Sequence, residues 1–318
     1  MNIKAIKCHG SGNDFLLIDE FNKALNMADS ERASMAKKLC DRSRGLGADG
    51  ILYFQNSEVA DGRMRVFNSD GSEASMCGNG LRCVARYACE LLGKQKLAIE
   101  TMKAVLEVEE MEPIADQVKT YKVEISPVSF NTGDLPMLID GETFINQSLK
   151  NCGELLWTAV AVPNPHLISI VGQSVMESDL QKEIAVYLNG DNPYFPDGVN
   201  VSFVEIKDEQ AIFVRTFERG VGFTNACGTA MSASSLVTCM QGLNEYEKDI
   251  TVYNPGGKVK CNVHNMDGLF TIDLIGNATY EYTVDIDYTS ADFSEIGRKE
   301  YPEEKRAYDA MVSSISKK

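Results

Sequence analysis

Two cysteines in matching contexts are the strongest candidates for chemistry in this chain. Cys77 lies in FNSDGSEASMCGNG, ten residues after Phe67, and Cys227 lies in FERGVGFTNACGTA, ten residues after Phe217. Each cysteine precedes a glycine and a segment that is predicted to be helical. A helix N-terminus has unpaired N–H groups and about half a positive charge, and it stabilises a thiolate by up to about 2 kcal/mol. We therefore expect both thiols to ionise closer to neutral pH than a free cysteine does.

The same helix ends also predict an anion site. The N–H groups of Gly78 and Asn79 in one segment, and of Gly228 and Thr229 in the other, could hold a carboxylate. Two sulfur groups flanking a carboxylate suit the inversion of the adjacent carbon, because a thiolate removes the α-proton and a thiol protonates the opposite face. Repulsion between two nearby thiolates favours this mixed state.

The segments around the cysteines occur twice in the chain. Three pairs of motifs recur in the same order at offsets of 151, 148 and 150 residues. Short apolar runs such as ILYF and VSFVEI predict strands around them. We predict an α+β fold with two pseudo-symmetric halves, each a mostly antiparallel sheet or barrel wrapped around a central helix, with the active site in the cleft between them. The pairs are Asn13 with Asn164, Asp49-Gly50 with Asp197-Gly198, and Cys77 with Cys227.

The two cysteine-bearing helices have different patterns. The first has apolar residues at helical spacing and stops at Gly93, whereas the second has no charged face, which predicts a buried helix that stops at Gly242. The loop-like SPVSFNTGDLP places the division within residues 126–136. The predicted domains are 1–128, completed by a strand returning from within 276–288, then 129–275, and a charged, helix-prone, peripheral tail over 290–318.

Composition excludes several classes of protein. The 318 residues carry a net charge of -15, which argues against a nucleic acid or an anionic membrane as partner. Neither a signal peptide nor a membrane span is visible, so we expect a cytoplasmic protein. The nine cysteines lack the spacing of a disulfide scaffold or a zinc site, and we expect no metal. Seven of them are assigned to packing: Cys8, Cys40, Cys83, Cys89, Cys152, Cys239 and Cys261.

The motifs resemble those of the diaminopimelate epimerase family from residue 1 to about 285. They are HGSGNDF at 9–15, FNSDGSEASMCGNGLRC at 67–83, NPH at 164–166, FPDGVNV at 195–201, ERG at 218–220 and ACGT at 226–229. The resemblance implies an epimerase that converts LL-diaminopimelate to meso-diaminopimelate in lysine and peptidoglycan precursor synthesis, without pyridoxal phosphate or metal. The protein would bind a small-molecule amino acid, and we expect it to form a homodimer.

The resemblance also implies a role for each site residue. Cys77 and Cys227 would be the acid–base pair, and Asn13 and Glu218 would hold the ammonium at the reacting carbon. His166 would either help to orient that end or be a buried, hydrogen-bonded imidazole. The distal amino-acid end would be held by Asn68, Asn164, Asn200 and Arg219.

Three positions depart from the family pattern. Gly50 stands where some relatives have Gln, Phe223 stands where many have Glu, and Gly276-Asn277-Ala278 replaces Gly-Pro-Ala. The tail after residue 290 has no counterpart in the common pattern.

The sequence leaves several competing functions open. They are a related cofactor-independent racemase of histidine or another amino acid, a thiol redox switch, and a non-catalytic amino-acid binding module. A nucleotide site is excluded, because the G-x-G-x-x-G match at residues 45–50 precedes a predicted strand instead of opening a helix.

Overall fold

The computed structural model describes residues 1–315. It forms two compact units, one made of Met1–Val123 together with the chain from Ile275 onwards, the other of Glu124–Leu274. The boundary between the two halves that was predicted from the sequence, between residues 128 and 129, lies a few residues after the one in the structure. Over the described residues, no helix is long and apolar enough to cross a membrane.

The elements follow one another in chain order. The first unit begins with β1 (Asn2–Gly10), β2 (Asn13–Asp19), α1 (Asp29–Leu39), β3 (Gly50–Gln55), β4 (Gly62–Asn68), β5 (Glu73–Ala74), α2 (Gly78–Leu92), β6 (Lys96–Glu100), β7 (Val105–Met111) and β8 (Thr120–Ile125). The second has β9 (Gln147–Ser148), β10 (Leu156–Val162), β11 (Asn164–Ile170), α3 (Gln173–Met176), α4 (Leu180–Leu188), β12 (Asn200–Asp208), β13 (Ala211–Glu218), β14 (Gly222–Phe223), α5 (Gly228–Met240), β15 (Asp249–Asn254), β16 (Gly257–Met266) and most of β17 (Leu269–Asn277), whose last three residues belong to the first unit. The first unit is completed by β18 (Thr279–Tyr288), β19 (Phe293–Glu300) and α6 (Pro302–Ile315).

Both units use the same series of strand pairings. In the first, β1–β2 is antiparallel, β2–β3 parallel, β3–β4 antiparallel, β4–β6 parallel and β6–β7 antiparallel. In the second, β10–β11, β11–β12, β12–β13, β13–β15 and β15–β16 repeat that series in the same order. The predicted α+β fold of two similar halves is confirmed, whereas the cleft stays a prediction.

The helix α5 is buried along almost its whole length. Every residue from Gly228 to Cys239 is buried, as its uncharged sequence predicted. Two of its hydroxyls donate to the carbonyl one turn earlier, Ser232 Oγ to Gly228 O at 3.0 Å and Ser235 Oγ to Met231 O at 2.9 Å, whereas Ser234 Oγ has no hydrogen-bond partner within residues 1–315. Bonds to the helix's own backbone thus satisfy the hydroxyls of Ser232 and Ser235 inside the core.

The prediction that the tail is helical is wrong for its first part. Phe293–Glu300 forms β19, which pairs antiparallel with β18. The edge of β18 has unpaired backbone groups that a charged segment can satisfy, and the guanidinium of Arg298 covers the Tyr282 ring at 3.9 Å. The helix α6 follows, and residues 316–318 lie outside the described part of the chain. The prediction that the tail is peripheral is wrong for α6, because its Tyr308 and Met311 are buried against Val118.

Candidate active site

Cys77 is the N-cap residue of α2 in the first unit. Its backbone is extended (φ -147°, ψ 107°), and its Sγ accepts a hydrogen bond from Gly80 N at 3.4 Å. A Cβ at Gly80 would lie 2.8 Å from Leu52 Cδ2, so a larger residue there would require the Leu52 side chain to shift. The thiol is partly exposed, unlike the eight other cysteines, all of which are buried. A partly exposed sulfur at a positive helix end is suited to proton transfer.

Asn13 and Asn79 lie beside this thiol. The Asn13 Oδ1 is 3.8 Å from Cys77 Sγ and accepts a hydrogen bond from Asn79 Nδ2 at 3.2 Å. Asn79 Oδ1 in turn accepts from Arg82 Nη2 at 3.0 Å, and Arg82 is fully buried. Gly78 and Asn79 are the first two residues of α2, so their N–H groups have no acceptor within the helix.

Asn68 and Gly50 face each other in the β3–β4 pairing. The Asn68 Nδ2 donates to Ser72 Oγ at 3.0 Å at the end of β4. A Cβ at Gly50 would lie 2.6 Å from Phe67 O, so this backbone cannot accept the Gln found in some relatives without moving. The close approach of β4 to this position therefore explains why glycine stands here in this chain.

Cys227 is the N-cap residue of α5 in the second unit and is 8% exposed. Burial, together with the negative charge of Glu218, raises the pKa of its thiol well above the ordinary value, although the Thr229 hydroxyl and the Ala230 N–H act to lower it. The prediction that this thiol ionises closer to neutral pH is wrong, because desolvation outweighs the helix terminus. Its Sγ lies 3.5 Å from Thr229 Oγ1.

His166 is linked to this thiol through Thr229. The His166 Nε2 is 3.1 Å from Thr229 Oγ1 and the ring is fully buried. Burial and the cation of Arg219 lower the pKa of His166 to about 3, so the ring is neutral at physiological pH. Within residues 1–315, its Nδ1 has no hydrogen-bond partner. The imidazole is thus both buried and adjacent to the site, which accommodates both interpretations made from the sequence.

The remaining predicted residues of the second unit lie at the ends of adjacent strands. Asn200 pairs with His166 between β12 and β11, and its Oδ1 accepts from the Arg219 N–H at 3.0 Å. Arg219 Nη1 donates to Asp197 O at 3.3 Å. Asn164 begins β11, two residues before His166. Strand ends thus collect a guanidinium, two amides and an imidazole in one unit.

Thr224 contacts the site but was not singled out in the sequence. Its hydroxyl donates to Glu218 Oε1 at 2.5 Å, which holds the carboxylate that raises the Cys227 pKa. The neighbouring Phe223 packs edge-on against Phe217 at 5.2 Å, with the Arg215 guanidinium 5.1 Å from its ring. Phe223, which stands where many relatives have Glu, thus stabilises the β13–β14 turn through its ring contacts.

Asn277, the departure near the C-terminus, supports the first unit. Its buried side chain accepts from Ser11 N at 2.8 Å and donates to His9 O at 3.2 Å, which fixes the HGSG turn. Ser11 has a left-handed backbone (φ 56°), and this contact helps to hold it. Proline could make neither side-chain bond. Over residues 1–315, no group of three His, Cys, Asp or Glu residues could hold a metal ion.

Comparison with known proteins gives a consistent result. The family model for diaminopimelate epimerase matches residues 5–128 and 158–280, which is more than half of the chain. A diaminopimelate epimerase of Listeria monocytogenes serovar 1/2a is 50% identical over 315 residues, covering 97% of this chain and 95% of the relative. One of Enterococcus faecalis is 44% identical over 327 residues and covers 100% of both chains. That match includes the C-terminal tail, which lies outside the residues that the family model matches.

A solved structure gives the same fold. A phenazine biosynthesis protein of the PhzF family from Bacillus anthracis superposes with a TM-score of 0.63, covering 91% of this chain and 100% of that chain, at 19% identity. At such low identity the likeness concerns the fold alone. The family match and the two full-length relatives show more: this chain belongs to the diaminopimelate epimerase family, and it is an isomerase.

Proposed function

We propose that this protein converts LL-diaminopimelate to meso-diaminopimelate, with Cys77 and Cys227 acting as acid and base on opposite faces of the α-carbon. The observation that carries the proposal is the shared position of the two sulfurs. Each is the N-cap of the helix at the same place in the repeated series, where α2 connects β5 to β6 and α5 connects β14 to β15. Two equivalent thiols suit a reaction that must run in both directions.

The helix N-termini would stabilise the charge that forms during the reaction. Removal of the α-proton places negative charge on the substrate carboxylate, and fixed N–H dipoles aimed at it lower the barrier. Gly78 and Asn79 offer such groups in one unit, and Gly228 and Thr229 in the other. Glycine beside each cysteine lets the carboxylate approach the backbone.

The substrate ammonium would alter the state of Cys227. Burial and Glu218 keep this sulfur protonated, so it starts the reaction as the thiol. When the ammonium pairs with Glu218, it neutralises the charge that opposes the thiolate. Cys227 can then give up its proton to the carbanion, and His166 keeps Thr229 oriented beside the sulfur.

The distal end of the substrate carries a second amino-acid group. Arg219 offers a planar pair of donors to a carboxylate, and Asn68, Asn164 and Asn200 supply both donors and acceptors. These groups favour diaminopimelate over a substrate with a single amino-acid end. The histidine racemase alternative is not favoured by the relatives. A cytoplasmic location and a homodimer remain proposals.

Proton NMR of LL-diaminopimelate in deuterated water tests the reaction directly. With reduced protein and no added pyridoxal phosphate, the α-proton signal should disappear while the meso isomer accumulates. Under the same conditions L-histidine should keep its α-proton. Absence of exchange with LL-diaminopimelate would reject the proposed substrate.

Replacing each cysteine tests the two-base assignment. Cys77→Ala and Cys227→Ala should each reduce epimerisation by roughly 10² to 10⁴, the range for a positioned acid or base. Matched controls lie on the same helices: Cys89→Ala on α2 and Cys239→Ala on α5, both buried at 4% exposure, should retain activity. Near-normal turnover by either of the first two variants refutes the assignment.

A further inference from the structure

Asp49 contacts a proposed site residue without being one itself. Its Oδ2 accepts hydrogen bonds from Asn13 Nδ2 at 2.6 Å and from the backbone N–H of Asp14 at 3.1 Å. Its Oδ1 accepts from Arg42 Nη2 at 2.7 Å. Asp49 lies just before β3, in the GADG motif that recurs in the second half as Asp197-Gly198. All three of these contacts bring a donor to the carboxylate.

The surroundings of Asp49 fix its position. Its own N–H donates to Asp14 O at 2.8 Å, and its carbonyl accepts from Ser69 N at 2.9 Å. Arg42 also binds the Asp14 carboxylate, through Nη2 and Oδ1 at 2.7 Å. Burial acts to raise the pKa of Asp14, but Arg42 and Lys7 lower it to about 2. The guanidinium of Arg42 is thus held between two carboxylates and keeps Asp49 in place.

A carboxylate beside an amide determines which way the amide points. An ionised Asp can only accept hydrogen bonds, whereas the two ends of an Asn side chain are a donor and an acceptor. With its NH₂ group bound to Asp49, Asn13 directs Oδ1 to the other side, where it is 3.8 Å from Cys77 Sγ. A substrate ammonium has three donors and no acceptor, so it needs this oxygen.

We propose that Asp49 is a positioning residue, which fixes the Asn13 side chain so that its oxygen faces Cys77 and the ammonium of the substrate. The ammonium part rests on the proposed function. The orientation toward Cys77 does not, since it exists in the protein without substrate.

The substitution Asp49→Asn should reverse the Asn13 amide. The new side chain has one oxygen, and the positive charge of Arg42 attracts it. Its NH₂ group then faces Asn13, whose Nδ2 loses its acceptor. The Asn13 amide regains a partner by turning its oxygen toward this NH₂ group, at the expense of the bond from Asn79 Nδ2. Asn13 Nδ2 would then face Cys77 and donate to the thiolate, which favours ionisation. Asp49→Ala removes the acceptor of Asn13 Nδ2 while Asn79 Nδ2 still binds Asn13 Oδ1, so its effect should have the same direction and be smaller.

Alkylation of Cys77 measures this effect without substrate. The reduced, full-length protein is treated with iodoacetamide from pH 6 to 10, and modification of the Cys77 peptide is followed by mass spectrometry. Below the midpoint, Asp49→Asn should react faster by roughly tenfold, the factor expected for one hydrogen bond to a charged group. Asp61→Asn is the matched control: Asp61 binds a backbone N–H (Ala98, 2.9 Å) and a cation (Lys94, 2.7 Å), and its loss should leave Cys77 unchanged.

A double-mutant cycle separates the action through Asn13 from the simple loss of a negative charge. In an Asn13→Ala background, Asp49→Asn should change the alkylation rate much less than in the wild type. Equal effects in both backgrounds, or none in the wild type, would overturn the proposal. If Asp49→Asn does not fold, as judged by thermal unfolding, Asp49→Ala takes its place in the cycle.

Steady-state kinetics then test the ammonium contact separately. In Asp49→Asn, the KM for LL-diaminopimelate should rise roughly tenfold. If the wild type itself does not turn over this substrate, the proposed function fails while the alkylation cycle still decides the role of Asp49. If turnover is normal in Asp49→Asn, the ammonium contact is refuted.

Discussion

Substitution of Glu304 by Gln should destabilise the first unit by removing half of an ion pair between α6 and α2. Arg86 on α2 is 5% exposed and forms a two-fold contact with Glu304, with Nη1–Oε2 at 2.5 Å and Nη2–Oε1 at 2.8 Å. Glu304 Oε2 also accepts from Tyr280 N at 3.0 Å. The substitution keeps the shape of the side chain and removes its charge.

The magnitude follows from what Arg86 retains. Breaking a fully buried ion pair costs about 3–5 kcal/mol, because one charge is left uncompensated. Arg86 keeps the carbonyl of Ala278 at 2.8 Å, Glu90 at 2.9 Å and the Tyr280 ring at 3.6 Å, and Glu304 is 25% exposed. We therefore expect a loss of about 2 kcal/mol, or a fall in Tm of roughly 4–8 °C at about 2–4 °C per kcal/mol.

The pH dependence gives this prediction a second, independent check. Burial acts to raise the pKa of Glu304, but the contact with Arg86 lowers it overall. The stabilisation is therefore present above the ordinary Glu pKa of about 4.3 and is lost as the pH falls through the lower folded value. The difference in Tm between wild type and variant should shrink below about pH 4.

Differential scanning calorimetry of both proteins between pH 3 and 8 is the assay. Glu303→Gln is the control, since it makes the same chemical change at an exposed position of the same helix. A Tm for Glu304→Gln within about 1 °C of the control at pH 7, a difference well below the one expected, would refute the reasoning.

Three further outcomes are expected. Thr229→Val removes the hydroxyl that contacts both His166 and Cys227, so calorimetry should show a loss of about 1–3 kcal/mol and the initial rate in the NMR assay should fall. Gly10→Ala would place a Cβ 2.8 Å from Arg82 Nη2 and 2.9 Å from Asn79 O, and we expect a cost of about 1–3 kcal/mol with slower turnover; an unchanged Tm would contradict this. Partial burial acts to lower the pKa of His264, but Glu247 and Asp273 raise it overall, so its stabilisation is complete below about pH 6.5 and is lost as pH rises through the higher folded value. In urea unfolding, the free energy of unfolding of the wild type should therefore fall as the pH rises through this range. It should change less with pH in His264→Gln.

The sequence by itself predicted the features that depend on neighbouring residues. A glycine after each cysteine, followed by helical spacing in the first segment and by an uncharged run in the second, predicted the N-caps of α2 and α5, and the short apolar runs predicted the strands. The repeat at about 150 residues predicted two similar units, because one series of local signals specifies one fold unit. These signals act over a few residues and can be read along the chain.

Tertiary structure alone decided the properties that depend on distant residues. The raised pKa of Cys227 follows from packing that leaves it 8% exposed, which outweighs the local helix terminus. β19 forms because β18 offers it an edge, although its charges favour a helix in isolation. The Asn13–Asp49 contact joins residues 36 apart, and the Ser11–Asn277 contact joins residues 266 apart. Burial and hydrogen-bond partners are set by the folded chain as a whole, so no local pattern encodes them.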